Sequence, residues 1–233
     1  MQVEHSRARD FFERREFLDE YELDNVHEDI TKAINSFIKI ENIYASAARN
    51  ITTRLENLND EIQIEKNRNL VHEIKTRIKK PRSIAEKLLR KGYELSIESA
   101  RDNLNDIAGI RVICSFVDDV YTIAGLLLSQ DDFYMIQKTD YIRNPKPNGY
   151  RSLHIDVEIP VFLSKQKEWV KAEIQFRTIA MDYWATLEHD LGYKFNGKKT
   201  EEITKELKEC SDLIAQADLR MEKLHKVLYE ENE

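Results

Sequence analysis

Apolar residues recur at every third or fourth position in two long stretches of the chain, one towards each end. The first runs from Val26 to about Ile64 and the second from Ile203 to Leu228. This spacing places the apolar side chains on one face of a helix. Both stretches therefore predict long amphipathic helices, and the second has a stripe suited to packing on the core or on a partner chain. That stripe consists of Ile203, Leu207, Cys210, Ile214, Ala217, Met221, Leu224 and Leu228.

The middle of the chain has shorter patterns in which strands and helices alternate. β-Branched apolar residues favour a buried strand at Ile107–Phe116, and helical spacing follows at 117–128. Thr178 predicts the N-cap of a helix that extends to about Leu191. Three further segments have strand patterns, namely Phe133–Ile142, Ser152–Glu158 and Trp169–Phe176.

Together these patterns predict an α+β fold, with a mixed β-sheet core of about five strands between long N- and C-terminal helices. We expect one domain over residues 1–233. Its parts are a helical N-terminal region over 1–70, an α/β core over 71–197 and a C-terminal helix over 198–233. Glycine and proline occur only between Pro81 and Gly197, which agrees with this division.

The charge of the chain limits its partners. Lysines and arginines number 36 against 43 aspartates and glutamates, and the net charge is −7. A general nucleic-acid binder needs a basic surface, so the composition leaves RNA binding open without indicating it, and any anion site must be local. The chain has two cysteines, no CxxC pair and no secretory signal. Its apolar runs are far short of the ~20 residues that span a bilayer, so we expect a soluble, cytoplasmic protein.

A basic run at Lys75–Lys91 is the first local anion site in the sequence. It holds eight basic residues and a single acid. Period two places Arg77 and Lys79 on one face of a strand. Helical spacing after the following proline presents three polar residues, namely Ser83, Lys87 and Arg90. A strand-to-helix junction of this kind offers cations and free backbone N–H groups to a polyphosphate. A solvated charged face is the alternative that the run alone leaves open.

Two carboxylates stand in strand contexts that suit a metal ion. Asp106 precedes a predicted strand and Arg111 follows on it, so the carboxylate could hold Mg²⁺ while the guanidinium reaches a nucleotide. Glu173 lies on the polar face of its strand with Gln175 and Arg177. A carboxylate there could bind the metal or accept a proton from a hydroxyl. Ordinary salt bridges with neighbouring basic side chains are the alternative for both.

The 144–154 segment, NPKPNGYRSLH, contains two of the four prolines and one of the six glycines. The prolines stiffen it, and Gly149 lets the backbone turn. Tyr150 could then offer its ring to a base, a stacking contact worth ~1–3 kcal/mol in nucleic-acid sites. A hairpin with a half-buried Tyr150 is the alternative. Three basic side chains would surround the phosphates of the stacked nucleotide, namely Lys146, Arg151 and His154.

Four stretches in this order resemble the synthetase domain of the RelA/SpoT family and its short form, the small alarmone synthetases. They are Arg77–Lys87, Asp106–Val112, Asn144–His154 and Glu173–His189. The resemblance implies a nucleotidyltransferase-like fold and a (p)ppGpp synthetase of the stringent response. Such an enzyme uses Mg²⁺ and transfers the β,γ-pyrophosphate of ATP to the 3′-hydroxyl of GTP or GDP, giving pppGpp or ppGpp and AMP.

The resemblance also implies roles for individual residues. Asp106 and Glu173 match the two catalytic carboxylates that bind the metal, and Glu173 is the candidate general base. The side chains expected at ATP are Arg77, Lys79, Ser83, Lys87, Arg90 and Arg111, with Arg77 and Arg111 on either side of adenine. The side chains expected at GTP or GDP are Lys146, Asn148, Tyr150, Arg151, His154, Gln175, Arg177 and Asp182, with Tyr150 stacked on guanine.

Longer relatives carry a hydrolase domain before the synthetase, whereas about 70 residues precede the motifs here. We therefore expect synthesis without hydrolysis. The resemblance to the small synthetases implies a homotetramer joined by its terminal helices. A monomer that packs both helices on its own core would have the same sequence pattern. The alternatives are a catalytically silent nucleotide- or RNA-binding sensor and a pyrophosphokinase toxin with another acceptor. Two metal-competent carboxylates favour an enzyme, and Tyr150 favours a guanine acceptor.

Overall fold

The computed structural model describes the backbone of residues 26–194 and 200–230 and the side chains of residues 38–191 and 200–228. The chain divides into two compact units, Met1–Ile40 and Glu41–Glu233, and the whole sheet lies in the second. The prediction of one domain over residues 1–233 stays a prediction. Residues 1–25 of the predicted helical region and residues 231–233 of the predicted C-terminal helix lie outside the described residues.

The described backbone forms six helices and five strands. The helices are α1 (Val26–Lys66), α2 (Pro81–Lys91), α3 (Ile97–Asn103), α4 (Val117–Leu128), α5 (Ile179–Lys194) and α6 (Glu201–Glu230). The strands are β1 (Val71–Ile78), β2 (Ala108–Cys114), β3 (Tyr134–Asp140), β4 (Leu153–Phe162) and β5 (Lys167–Thr178). The long helices predicted near both ends are present. Within the described residues, no helix combines the length and the apolarity needed to cross a membrane.

The five strands form one mixed sheet in the order β1-β2-β5-β4-β3. Strands β2 and β5 are parallel, and the other neighbouring pairs are antiparallel. The predicted α+β class with a mixed five-stranded sheet is confirmed. A parallel pair needs a long crossover connection, which α4, β3 and β4 supply here. Residues more than 60 positions apart in sequence therefore meet on the two central strands, as Gly109 and Glu173 do.

Strand β5 separates an apolar face from a polar face, as its alternating sequence predicts. Ala172, Ile174 and Phe176 are fully buried, whereas Glu173 and Gln175 are half-buried on the opposite face. Helix α1 adds its own apolar stripe to the buried set, with Tyr44, Ala48, Ile51 and Leu55 at helical spacing. Each large aliphatic or aromatic side chain buried in this way stabilises the fold by roughly 1.5–3 kcal/mol.

The junction between β1 and α2 differs from its prediction. Strand β1 ends at Ile78, so Lys79 lies beyond the strand and does not share a strand face with Arg77. Pro81 opens α2, a position that suits proline because the first N–H of a helix has no partner. The backbone N–H of Lys79 instead donates to the carbonyl oxygen of Ile107 at 2.8 Å. Lys79 is thereby directed towards the loop that precedes β2.

Helix α3 is not predicted by the sequence patterns, because its seven residues are too few for a clear period. Its start has a clear local cause. Ser96 is the N-cap, and its hydroxyl oxygen accepts a hydrogen bond from the N–H of Ser99 at 3.0 Å. The helix brings the chain to Asn105 and Asp106, just before β2.

Helix α6 buries a different face from the predicted stripe. Its buried side chains are polar, namely Ser211, Asp218 and Glu222. Met221 and Leu224 of the predicted stripe are instead 58% and 56% exposed, and Cys210 is exposed too. These three residues therefore do not pack on the core within this chain, whereas Ile203, Leu207 and Ile214 of the stripe are half-buried, and packing of the stripe on a partner chain stays a prediction. The buried polar groups find hydrogen-bond partners on other elements, which is the condition for burying them without a large penalty.

Candidate active site

The register of the sheet aligns one row of residues across its polar face. Arg77 pairs with Gly109, Gly109 with Glu173, and Glu173 with Asp156. Directly paired residues on neighbouring strands share a face. Gly109 contributes no side chain, and a Cβ there would meet as its nearest atom the backbone oxygen of Arg77 at 3.7 Å. The predicted base Glu173 therefore lies beside open space on the side of β1 and β2.

A second row lies two residues further along and consists of Lys75, Arg111, Gln175, His154 and Thr139. Its cationic members are on β1 and β2, and its imidazole is on β4. Strand pairing thus brings together residues from all four predicted motifs or from strands adjoining them. Arg77 and Arg111, the two arginines predicted to contact adenine, stand diagonally across the β1–β2 pair.

Asp106 is held by the two lysines of the basic run. Lys79 and Lys87 both donate to Oδ2, Lys87 at 2.6 Å. Oδ1 is buried and has no hydrogen-bond partner within the described residues. Burial raises the pKa of the Asp106 carboxyl, but the hydrogen bonds from Lys79 and Lys87 outweigh burial and leave the pKa below its ordinary range. Asp106 is therefore ionised at neutral pH, with one oxygen free for a cation.

Glu173 is oriented by one donor at each carboxylate oxygen. Nδ1 of His154 lies 3.2 Å from Oε1, and Nε2 of Gln175 donates to Oε2 at 2.7 Å. Burial raises the pKa of Glu173, but the interactions with His154 and Gln175 together bring it below the usual range. The group is therefore an ionised, fixed proton acceptor.

A chain of hydrogen bonds leads from Glu173 to the 144–154 segment. Nε2 of His154 lies 2.8 Å from the hydroxyl of Tyr150, and Arg177 donates to the same hydroxyl oxygen at 2.7 Å. A guanidinium can only donate, so Arg177 occupies a lone pair of the Tyr150 oxygen. The phenol hydrogen of Tyr150 is then donated to Nε2 of His154. This order of donors assigns the ring hydrogen of a neutral His154 to Nδ1, where it faces Glu173.

The ring of Tyr150 lies among cations and other rings. The Nζ atom of Lys146 is 4.7 Å from its centroid, and the guanidinium carbon of Arg177 is 5.2 Å away. The ring of Tyr141 stands edge-on at 6.0 Å. The backbone N–H of Tyr150 donates to Oδ1 of Asn148 at 3.2 Å. Tyr150 is thus a fixed aromatic surface with positive charge beside it, which suits an anionic ligand with a planar ring.

Asp182 is the shared acidic partner of cationic side chains on three strands. Its carboxylate accepts from Arg177 at 3.0 Å and lies 3.3 Å from Arg111 and 3.6 Å from Lys75. Asp182 is buried on α5. The pKa of Arg111 is lowered by burial and by the charge of Arg177, and Asp182 partly offsets this. These contacts make Asp182 the counter-ion of the site's arginines, and its predicted contact with guanine stays a prediction.

The start of α2 is open to an anion. Its N-cap residue, Lys80, makes no side-chain cap, and its first turn contains no acidic residue. The first N–H groups of a helix lack partners within the helix and attract phosphates. Ser83 lies in this first turn, and Arg90 is exposed in the last turn. The cationic side of the site therefore combines lysines, arginines and a helix N-terminus.

The two carboxylates fit a magnesium ion, although no group of three or more His, Cys, Asp or Glu side chains could hold a metal among the described residues. Mg²⁺ prefers carboxylate oxygens and is usually held by one or two of them together with phosphates and waters. The buried, unpartnered Oδ1 of Asp106 is the kind of atom that such an ion satisfies. Asp106 and Glu173 could therefore hold an ion that a polyphosphate completes.

Arg151 is the predicted site residue whose contacts lie elsewhere. It donates to Oδ1 of Asp212 on α6 at 3.0 Å and to the carbonyl oxygen of Ile142 at 3.2 Å. These contacts give it a role in holding the 144–154 segment. The predicted contact of Arg151 with phosphate stays a prediction.

The sequence motifs do not predict two polar residues that lie next to the site, Asp156 and Asn105. Asp156 pairs with Glu173 across the strands, and its Oδ2 accepts from Asn105, the neighbour of Asp106, at 2.9 Å. Burial, and then the charges of Glu173 and Asp106, raise the pKa of Asp156 against the lowering effect of Asn105. The alternation His154, Asp156, Glu158 in β4 was the available signal, because it places Asp156 on the face of His154.

A family model described as a region found in RelA/SpoT proteins matches residues 76–198. The GTP pyrophosphokinase YwaC of Bacillus subtilis is 41% identical over 179 residues, which cover 77% of this chain and 85% of that protein. The crystal structure of small alarmone synthetase 2 from B. subtilis superposes with a TM-score of 0.74 at 39% identity, over 82% of this chain and 98% of that one.

Small alarmone synthetase 1 from B. subtilis has been solved with two ligands. With its product pppGpp it gives a TM-score of 0.75 at 30% identity, over 82% of this chain and 97% of that one. With AMPCPP it gives 0.71 at 28% identity, over 84% and 99%. The chain belongs to the RelA/SpoT family. Within it, the chain is an enzyme of the GTP pyrophosphokinase class, the small alarmone synthetases.

Proposed function

We propose that this enzyme transfers the pyrophosphate of ATP to the 3′-hydroxyl of GTP or GDP, giving pppGpp or ppGpp and AMP. One observation carries the proposal. Glu173 is an ionised carboxylate, oriented by His154 and Gln175, and it stands between a cationic side and the aromatic side with Tyr150. The crystal structures of B. subtilis small alarmone synthetase 1 with pppGpp and with AMPCPP support the same pair of substrates.

The cationic side is assigned to ATP. The adenine would lie between Arg77 and Arg111, which stand diagonally on β1 and β2. Its phosphates would meet Lys79 and Lys87, with Ser83 at the helix start and Arg90 further along α2. Two polyphosphate nucleotides repel one another, so several cations are needed before they can approach. This requirement explains the local basic density in a chain of net charge −7.

A magnesium ion is the proposed cofactor, held by Asp106 and Glu173. When bound, it would neutralise charge on the transferred phosphates. Lys79 and Lys87 both bind one oxygen of Asp106. The other oxygen has no hydrogen-bond partner among the described residues and could therefore bind the ion. Binding of the ion also depends on ionised carboxylates, and both have pKa values below the ordinary range.

The aromatic side is assigned to the guanine nucleotide. Its base would stack on Tyr150, with Asn148 beside the ring, and its phosphates would meet Lys146 and Arg177. Glu173 would then accept the 3′-hydroxyl proton while the 3′-oxygen forms a bond to the β-phosphorus of ATP. The bond from that phosphorus to the α-phosphate bridge breaks, and AMP leaves with the electron pair. Alignment of the hydroxyl by a fixed base supplies a large part of the acceleration.

The assay is incubation of the purified protein with labelled ATP, Mg²⁺ and either GDP or GTP, followed by separation of the nucleotides. We expect labelled ppGpp or pppGpp together with equimolar AMP. We also propose that the chain does not hydrolyse the product, so the same label should persist after ATP is exhausted. Binding of both nucleotides without AMP would indicate the silent sensor, and AMP with a different labelled product would indicate another acceptor. Either outcome would overturn the proposal.

We also propose a homo-oligomer, the predicted tetramer, assembled through helices that expose apolar side chains. Leu213, Met221 and Leu224 on α6 are all more than half exposed. Such side chains on one long helix are typical of a surface that associates. Light scattering at several protein concentrations measures the assembly, and a monomer at every concentration would contradict it.

A further inference from the structure

Helix α6 reaches the 144–154 segment through a buried hydrogen bond. The hydroxyl of Ser211 donates to the carbonyl oxygen of Gly149 at 2.5 Å, and Ser211 is only 4% exposed. Gly149 has φ +92°, and a Cβ added to it would lie 2.6 Å from Cβ of Ser211. This is a steric reason for glycine directly before Tyr150, in addition to the left-handed backbone. The helix and the segment are therefore in tight contact at this point.

A second contact lies on the other side of Tyr150. Asp212 accepts from Arg151 at 3.0 Å and from Lys208 at 2.6 Å. The residues immediately before and after Tyr150 are thus both bound to α6, by neighbouring residues of the helix. Helix α6 therefore holds the backbone of the segment at Gly149 and the side chain of Arg151, on either side of Tyr150.

The rest of α6 is anchored to β5, which carries Glu173, and to helices α4 and α5. Asp218 accepts from the hydroxyl of Thr178, at the end of β5, at 2.6 Å. Glu222 accepts from the first N–H groups of α4, that of Val117 at 3.0 Å. Trp184 of α5 donates to the carbonyl oxygen of Leu207 at 2.9 Å. Helix α6 therefore links the 144–154 segment to the strand of Glu173 through a set of hydrogen bonds that does not pass through the site.

We propose that Ser211 and Asp212 are positioning residues for the acceptor nucleotide: Ser211 holds the backbone at Gly149, Asp212 holds the side chain of Arg151, and together they fix the segment that carries Tyr150 and set the affinity of the site for GTP or GDP. Both residues lie beyond the region that the family model matches, which ends at residue 198. The inference rests on the proposed function in one respect, since it takes Tyr150 as the acceptor platform. It predicts that substitutions of Ser211 and Asp212 weaken the binding of GTP or GDP and leave the binding of ATP unchanged.

The test uses Ser211→Ala and Asp212→Ala in the full chain, with Glu209→Ala as the matched control. Glu209 lies on the same helix but is exposed, and among the described residues its ion-pair partner is Lys205 on the same helix. We expect the KM for GDP or GTP to rise about fivefold or more in both variants, because each variant loses one of the hydrogen bonds that hold α6 to the 144–154 segment. The KM for ATP should stay within about twofold, and the control should match the parent chain in both.

Titration calorimetry with GDP alone gives a readout independent of turnover. It separates this inference from the proposed function, because GDP affinity can fall in the variants even if the parent chain forms no pppGpp. An unchanged affinity for GDP in both variants would overturn the inference, as would equal losses for ATP and GDP. Should Ser211→Ala fail to fold, Asp212→Ala still decides, since the side chain of Asp212 is 38% exposed and its removal leaves the buried core intact.

A double-mutant cycle with Arg151→Gln separates the two roles of that arginine. If Arg151 acts through Asp212, the double variant should raise the KM for the acceptor no more than the stronger single variant does. Losses that multiply would place Arg151 on the nucleotide and would remove Asp212 from the positioning role.

Discussion

Nδ1 of His154 lies 3.2 Å from Oε1 of Glu173, while Nε2 of the same ring lies 2.8 Å from the hydroxyl of Tyr150. One imidazole therefore touches both the proposed general base and the proposed guanine platform. Because the hydroxyl of Tyr150 donates to Nε2, the ring hydrogen of His154 lies on Nδ1 and is donated to Glu173. His154 is placed to orient the base when the acceptor site is correctly formed.

The two ring nitrogens of His154 can be tested separately. In His154→Asn the amide nitrogen takes the approximate place of Nδ1, and in His154→Gln it takes the place of Nε2. We expect His154→Asn to keep kcat within about fivefold. His154→Gln should lose roughly 10- to 100-fold in kcat, since a hydrogen bond to a charged group is worth ~1.5–3 kcal/mol. A kcat for His154→Gln at or above that of His154→Asn would refute the orienting role.

The two carboxylates should dominate turnover. We expect Glu173→Gln and Asp106→Asn each to lower kcat by roughly 10²-fold or more, as when a preorganised electrostatic group is removed. Asp106→Asn should in addition need more Mg²⁺ for half-maximal rate. Glu158→Gln is the control, because Glu158 pairs with Lys171 two residues along the same strand from Asp156. Steady-state rates over a series of Mg²⁺ concentrations measure both effects, and losses under threefold would contradict the assignment.

Much of the fold follows from local pattern, because β5 and α1 each present one continuous apolar face. Ala172, Ile174 and Phe176 alternate with Glu173 and Gln175, and period two alone separates them. Helix α6 could not be predicted in the same way. Its buried face carries Ser211 and Asp218, whose partners Gly149 and Thr178 are 62 and 40 residues away.

The candidate site was predictable as a set of motifs but not as a network of contacts. Two prolines and a glycine around Tyr150 mark a stiff turn in the sequence alone. The contact of Arg151 with Asp212 depends on the docking of α6, and that of Asp182 with Arg111 depends on strand order. Side-chain type indicates which groups bind anions, whereas tertiary packing decides which of them face a ligand.

Tyr150 should contribute mainly to acceptor binding, and two variants separate its ring from its hydroxyl. Tyr150→Ala removes the stacking surface, so the KM for GDP or GTP should rise roughly 10-fold or more for a contact worth ~1–3 kcal/mol. Tyr150→Phe keeps the ring but loses the contacts with His154 and Arg177. It should keep acceptor KM close to the parent value and lower kcat instead. An unchanged acceptor KM in Tyr150→Ala would exclude stacking.

The stability of the fold should depend on pH through Asp218 in the direction opposite to most carboxylates. Burial raises the pKa of Asp218, the hydrogen bond from Thr178 lowers it, and the charge of Glu222 raises it further, with a net increase. In the unfolded chain the pKa is about 3.9. As the pH rises from there through the folded-state pKa, the folded protein must bear a buried charge, so its stability falls.

Asp218→Asn removes that charge and keeps an oxygen for the hydroxyl of Thr178. We therefore expect a higher Tm than the parent chain at pH 7.5, and a difference that shrinks towards zero as the pH is lowered to about 3, where Asp218 is largely protonated in both states. Glu209→Gln, which removes an exposed charge from the same helix, should leave Tm nearly unchanged at both pH values. Thermal denaturation followed by circular dichroism measures the series. A lower Tm for Asp218→Asn at pH 7.5 would show that the ionised carboxylate, through its bond with Thr178, stabilises α6 on the sheet.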